Sequence, residues 1–241
     1  MGRIFLQSWQ IYRRHFFVIA AVVAVIWLPL ELLSSYMDAY VFGENKFFAS
    51  VRFALFLENF GGIIATAGVI VVGYEVLAGD RPGFRSALGM GFASWGRMWW
   101  TRFLYGIALI LGCLLLVVPG VWLLVRLSFV EPVAVLERLS GTDAMRRSFA
   151  LTKGRFWLMV RLGLATFAVS ALPGFALVAA VGFIPGLDNW VVDAAAQLVG
   201  DIVLAFGTVV FLTAYALFYS EQIAQDERGQ TVDAEARPLG A

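Results

Sequence analysis

Four ionisable side chains stand inside long apolar runs of this chain: Glu31, Arg126, Glu131 and Asp201. A charge in hydrocarbon is costly. It persists by pairing with an opposite charge, lining a wet cavity, or reaching the surface along its own aliphatic stem. Groups of this kind can lock helices in register, conduct ions or protons, or bind a charged solute. Arg126 is the sharpest of the four. At about 1.5 Å per residue it lies about 9 Å below a turn at Pro119-Gly120. Glu31, near the far end of the first apolar run, and Asp201, in the last, fall in the same half. Arg126 is therefore expected to pair with Asp201 or Glu31. Glu131, followed by Pro132, lies deeper in the hairpin arm and is expected to face a cytoplasmic cavity.

A second set is basic. Arg146, Arg147, Lys153 and Arg155 are close in sequence beside an apolar run, where each cation contributes about 1 kcal/mol of attraction to anionic lipid. They suit phospholipid headgroups, and the same charges also serve to set topology. Catalytic sets are missing. The chain holds one histidine, His15, and one cysteine, Cys113. It has no G-x-S-x-G, H-E-x-x-H, Walker, C-x-x-C or dinucleotide motif. The expectation is a protein that is not an enzyme, with no cofactor and no metal. A net charge of +1 leaves no basic face for nucleic acid.

The elements that carry these residues are membrane helices. Hydrophobic residues make up 61% of the chain and charged residues 15%, too few charges to wet a soluble surface. Spans are expected at about 16–36 and 53–77, two within 103–136, then 156–181 and 191–219. In the second span Gly61, Ala65 and Gly68 share a face suited to close helix packing. Three amphipathic interfacial helices are expected at 2–15, 84–99 and 141–156, each with an aromatic or apolar stripe. Residues 37–52 and Gly182–Asn189 read as outer loops.

Positive charge sets the topology. Of 18 Lys and Arg residues, Lys46 and Arg52 fall outside, Arg126 falls in the membrane, and the other fifteen fall on one side. Basic short loops belong in the cytoplasm, so both termini are expected there. Two basic loops on one side need an even number of crossings between them. Residues 103–136 therefore read as a hairpin turning at Pro119-Gly120, with arms of about 24 Å; a re-entrant pair is the alternative. The fold class is all-α: a polytopic helix bundle over 1–220, with a polar, acidic, disordered tail over 221–241. Gly96-Arg97-Met98-Trp99 and Gly154-Arg155-Phe156-Trp157 share G-R-x-W. That pattern fits a threefold repeat (1–80, 81–138, 139–220), although every membrane entry calls for a basic residue and an aromatic anchor.

A denser pattern runs through Pro119-Gly120, Arg126-Leu127-Ser128, Glu137, Ala144, Arg147-Ser148, Leu151-Thr152 and Gly154-Arg155-Phe156-Trp157. It resembles the glycerophosphoryl diester phosphodiesterase membrane-domain family and related bacterial envelope proteins. The resemblance covers about a fifth of the chain. It implies a membrane module associated with lipid, without the catalytic barrel, for which the chain has no room. The expected function is a non-catalytic scaffold or accessory protein of envelope homeostasis in the bacterial inner membrane. Its expected partners are phospholipids, another protein or a second copy. The alternative is a small transporter or channel subunit with a polar path around Arg126, Glu131, Asp201 and Glu31.

Overall fold

Apolar runs this long must satisfy every backbone polar group within the chain, and helices do so. The computed structural model describes residues 1–42, 47–182 and 189–235. Among them, six helical stretches are long and apolar enough to cross a membrane: Phe16–Phe42, Phe48–Ala78, Phe84–Leu115, Val118–Leu136, Phe156–Val181 and Trp190–Gln225. The helices are α1 (Gly2–Arg14), α2 (Phe16–Met37), α3 (Phe47–Leu57), α4 (Ile63–Ala78), α5 (Phe84–Leu115), α6 (Val117–Arg126), α7 (Val130–Leu136), α8 (Gly141–Leu151), α9 (Phe156–Thr166), α10 (Leu172–Gly182) and α11 (Trp190–Glu235). Single π-helical turns join α3 to α4 at Glu58–Gly62 and α9 to α10 at Phe167–Ala171.

The bundle is built around α4, which is buried on nearly every side from Ile63 to Gly73. α2, α5 and α11 pack against it. Glycines set the separations. A Cβ at Gly61 would come within 2.5 Å of Leu30, at Gly62 within 2.6 Å of Trp27, and at Gly68 within 2.6 Å of Val22. The small-residue face formed by α4 and the π-helical turn before it thus receives the large side chains of α2. α4 ends at Gly79, whose φ of +87° suits a residue without a Cβ. Asp80 N–H donates to the Glu75 carbonyl, and Gly79 N–H to that of Val76, the paired bonds of a Schellman motif.

Four expectations need correction. The second span begins earlier than residue 53, because Phe47–Leu57 is already helical; part of the expected loop is apolar enough to continue the helix. The stretch 84–99 is not a separate interfacial helix. It runs without a break into the next span as the 32-residue α5, since no proline or capping residue stops it. The chain does reverse between α5 and α6, but at Leu116, which is extended at φ −171° and ψ 148°. Pro119 sits in the first turn of α6, where its missing N–H would have had no helical partner. Gly120 lets α6 lie close to α5, since a Cβ there would collide with Cys113. Finally, α11 continues past Tyr219, where the last span was expected to end, through Glu235. Of the expected outer turn at Gly182–Asn189, residues 183–188 lie outside the described residues.

α1 buries Ile4, Ser8, Ile11 and Tyr12. Phe5, Trp9 and Tyr12 all meet Phe206 of α11, with ring centroids 5.5–6.4 Å apart. Tyr12 donates its hydroxyl to the Ile202 carbonyl at 2.5 Å, and burial pushes its phenol up to about 12. The Pro-Gly dipeptides of the postulated repeat differ in setting: an extended residue precedes Pro119, and a π-helical turn precedes Pro173.

Candidate functional site

The polar residues divide between two places. One is a cavity of about 500 Å³ among α2, α3, α4, α10 and α11, lined by Glu31, Glu58, Asp201, Gln197, Thr66 and Trp27 among others. Every helix that lines it belongs to a stretch able to cross a membrane. Helical rise places Glu31 about 22 Å from the start of α2 and Asp201 about 16 Å from the start of α11. Because these helices run in opposite directions, the two carboxylates meet in the same half. Gln197 donates to Ser35 at 3.3 Å above them. Three carboxylates therefore face one cavity, and among the described residues no Lys or Arg lines it. Glu31 is only 8% exposed. Its Oε2, like Asp201 Oδ2, is buried without a hydrogen-bond partner among the described residues.

Thr66 belongs to the cavity and to what lies beyond it. Its hydroxyl accepts from Arg102 Nη2 at 3.3 Å. Arg102 in turn holds Glu131 Oε1 at 2.7 Å through both Nε and Nη2. Hence Glu131, expected to face a cytoplasmic cavity, is fixed by an arginine that the sequence alone marks as a topology signal. Glu58 was also passed over. The available signal was a carboxylate within an apolar stretch able to cross the membrane.

Arg126 does not join this set. It forms no salt bridge with Asp201, Glu31 or any other carboxylate among the described residues. Its guanidinium instead lies 5.7 Å from the Trp122 ring centroid and 5.2 Å from that of Phe149. The expected pairing fails because α6 ends at Arg126 beside α8, while Asp201 turns toward α2.

The second place is the Arg-rich end. Arg147 Nε meets Glu137 Oε2 at 2.7 Å, its Nη1 donates to Gln222 at 3.0 Å, and the Tyr215 hydroxyl donates to Glu137 at 2.9 Å. Arg155 pairs with Glu221 at 2.6 Å and stands 4.1 Å from the Phe218 centroid. Of the four basic residues expected to bind lipid, Arg147 and Arg155 are thus engaged within the chain, whereas Arg146 and Lys153 are exposed. Among the described residues Arg146 pairs only with Asp143, at 3.9 Å.

Much of the P-G to G-R-x-W pattern collects around the junction of α6 and α7. Ser148 Oγ donates to the Arg126 carbonyl at 2.9 Å and accepts from Phe129 N–H at 3.2 Å. Thr152 Oγ1 lies 3.2 Å from the same carbonyl. A helix interruption leaves backbone groups without partners, and α8 supplies them. The chain matches no family model, no curated protein and no solved structure.

Proposed function

We propose that this chain is a small cation transporter or channel subunit. The observation that carries the reading is the position of Thr66, which lines the carboxylate cavity while accepting from Arg102. Polar groups then follow one another from exposed Glu58 through Glu31 and Asp201 to Thr66, Arg102 and Glu131. The Glu131 side chain is 35% exposed, so the two end members of the series lie at the surface of the bundle. A scaffold has no need of three carboxylates around a cavity within its spans, and intramembrane charge is retained where it lines a path. Arg126, stacked on aromatic rings, is outside this path. The resemblance to phosphodiesterase membrane domains favours lipid association as a second reading, which rests on exposed Arg146 and Lys153. The basic distribution supports a cytoplasmic position for both termini, and the resemblance supports a bacterial inner membrane as their setting.

The test is ion flux in proteoliposomes under an imposed membrane potential, with protons, sodium and potassium followed separately. Wild type is expected to carry at least one of these several-fold faster than protein-free vesicles. Thr66→Val and Glu131→Gln are each expected to lower that flux at least fivefold. Rates equal to protein-free vesicles for all three ions would overturn the transport reading.

A further inference from the structure

The cavity is far larger than any bare ion needs, and its walls are mixed. Trp27 and Phe175 stand in them with Leu204, beside Glu31, Glu58 and Asp201. About 300–1,000 Å³ is the usual size of a small-molecule pocket, mostly apolar with a few placed polar groups. The Trp27 ring is held in place by Gly62, where a Cβ would come within 2.6 Å of it. A fixed tryptophan face attracts an organic cation and adds apolar contact.

The carboxylates are arranged for charge at a distance. Among the described residues, no group of three or more His, Cys, Asp or Glu side chains is close enough to hold a metal ion. Glu31 and Asp201 share the cavity with Glu58, yet the three do not converge as metal ligands. Glu31 is more than nine-tenths buried, lines the cavity, and has an oxygen without a partner. A buried carboxylate left unpaired is costly. A positive charge arriving from outside the protein would match it.

We infer that the Glu31–Glu58–Asp201 cavity binds a bulky amphiphilic organic cation, of the ammonium or phosphonium class, with its charge among the carboxylates and its apolar groups against Trp27 and Phe175. A divalent metal would need tighter convergence, and a neutral lipophile would leave the carboxylates unmatched. This deepens the transport reading, on whose cavity it rests, by naming a substrate class.

The experiment is equilibrium binding to the full chain in mild detergent, by isothermal titration with tetraphenylphosphonium, with uncharged triphenylphosphine oxide as the comparison. Wild type is expected to bind the cation saturably at one site per chain and the neutral compound at least tenfold more weakly. Glu31→Gln and Asp201→Asn, both nearly isosteric, are each expected to weaken cation binding at least tenfold. Three results would each overturn the inference: no saturable binding by wild type, equal affinity for the neutral compound, or undiminished binding in both variants. The comparison of cation and neutral compound uses wild type alone, so it stands even where a variant fails to fold. Because binding is measured without flux, the two readings fail separately. Ion flux without phosphonium binding removes the substrate class alone. Phosphonium binding without ion flux in the vesicle assay removes the conducting path alone.

Discussion

Ser148 is fully buried, and its hydroxyl serves two segments at once. It gives its proton to the last carbonyl of α6 and receives the N–H that precedes α7. Ser148→Ala leaves the Arg126 carbonyl with Thr152 but leaves Phe129 N–H without its acceptor. An unsatisfied buried donor costs about 1–3 kcal/mol. Ser148→Ala should therefore lower the thermal midpoint in detergent clearly. Ser220→Ala, which removes an exposed hydroxyl bonded only to its own helix at Leu217, should change stability by less than about 0.5 kcal/mol. Equal midpoints for the two variants would show that α8 does not secure the junction. The same reasoning explains why Arg126 drew attention in the sequence for a reason that proved wrong. Its charge rests on Trp122 and Phe149, and its backbone carbonyl takes part in the junction.

Between elements, separation is set by side chains that are missing. Gly91 of α5 lies against α4, where an added Cβ would come within 2.8 Å of the Ile64 carbonyl oxygen. Backbone cannot rotate aside as a side chain can, so Gly91→Ala pushes α4 and α5 apart. Overpacking of this kind costs about 1–3 kcal/mol. Gly96, on the same helix, has nothing within 4 Å of its would-be Cβ. There the substitution only improves helix propensity, by up to about 1 kcal/mol. Thermal unfolding should move the two variants in opposite directions. Gly91→Ala should also reduce ion flux, because Thr66 of α4 and Arg102 of α5 span that same contact. The spacing of Gly61, Ala65 and Gly68 made a close-packing face legible in the sequence. Its partner was not legible, because Leu30, Trp27 and Val22 look like any other lipid-facing apolar residues until α2 is rotated into place.

Across the whole molecule, the six apolar stretches could be read from hydropathy together with the basic loops, whose placement on one side divides 103–136 into two crossings. The pairing of charges could not. Which carboxylate meets which arginine depends on helix rotation, and about 100° per residue turns a one-residue error into a different neighbour. Asp201 thus shares a cavity with Glu31, while Glu131 finds Arg102. Length also governs where the polar Arg-rich end lies. The 36 residues from Trp190 to Gln225 span about 54 Å, against a hydrocarbon core of about 30 Å. With the outer boundary near Trp190, the bonds of Tyr215, Glu221 and Gln222 to Glu137, Arg155 and Arg147 fall beyond the core, in water or headgroups. On the proposed topology Thr142 and its neighbours lie on the cytoplasmic side, opposite Leu116. The prediction is read by labelling with a membrane-impermeant maleimide in a Cys113→Ser background, which removes the one native thiol. Leu116→Cys should label in intact cells, and Thr142→Cys only after permeabilisation. Labelling of Thr142→Cys in intact cells would mean an odd number of crossings between the basic loops and would discard the six-span topology. Protection of Leu116→Cys before permeabilisation, with Thr142→Cys inside, would make α5 and α6 a re-entrant pair whose reversal never leaves the hydrocarbon.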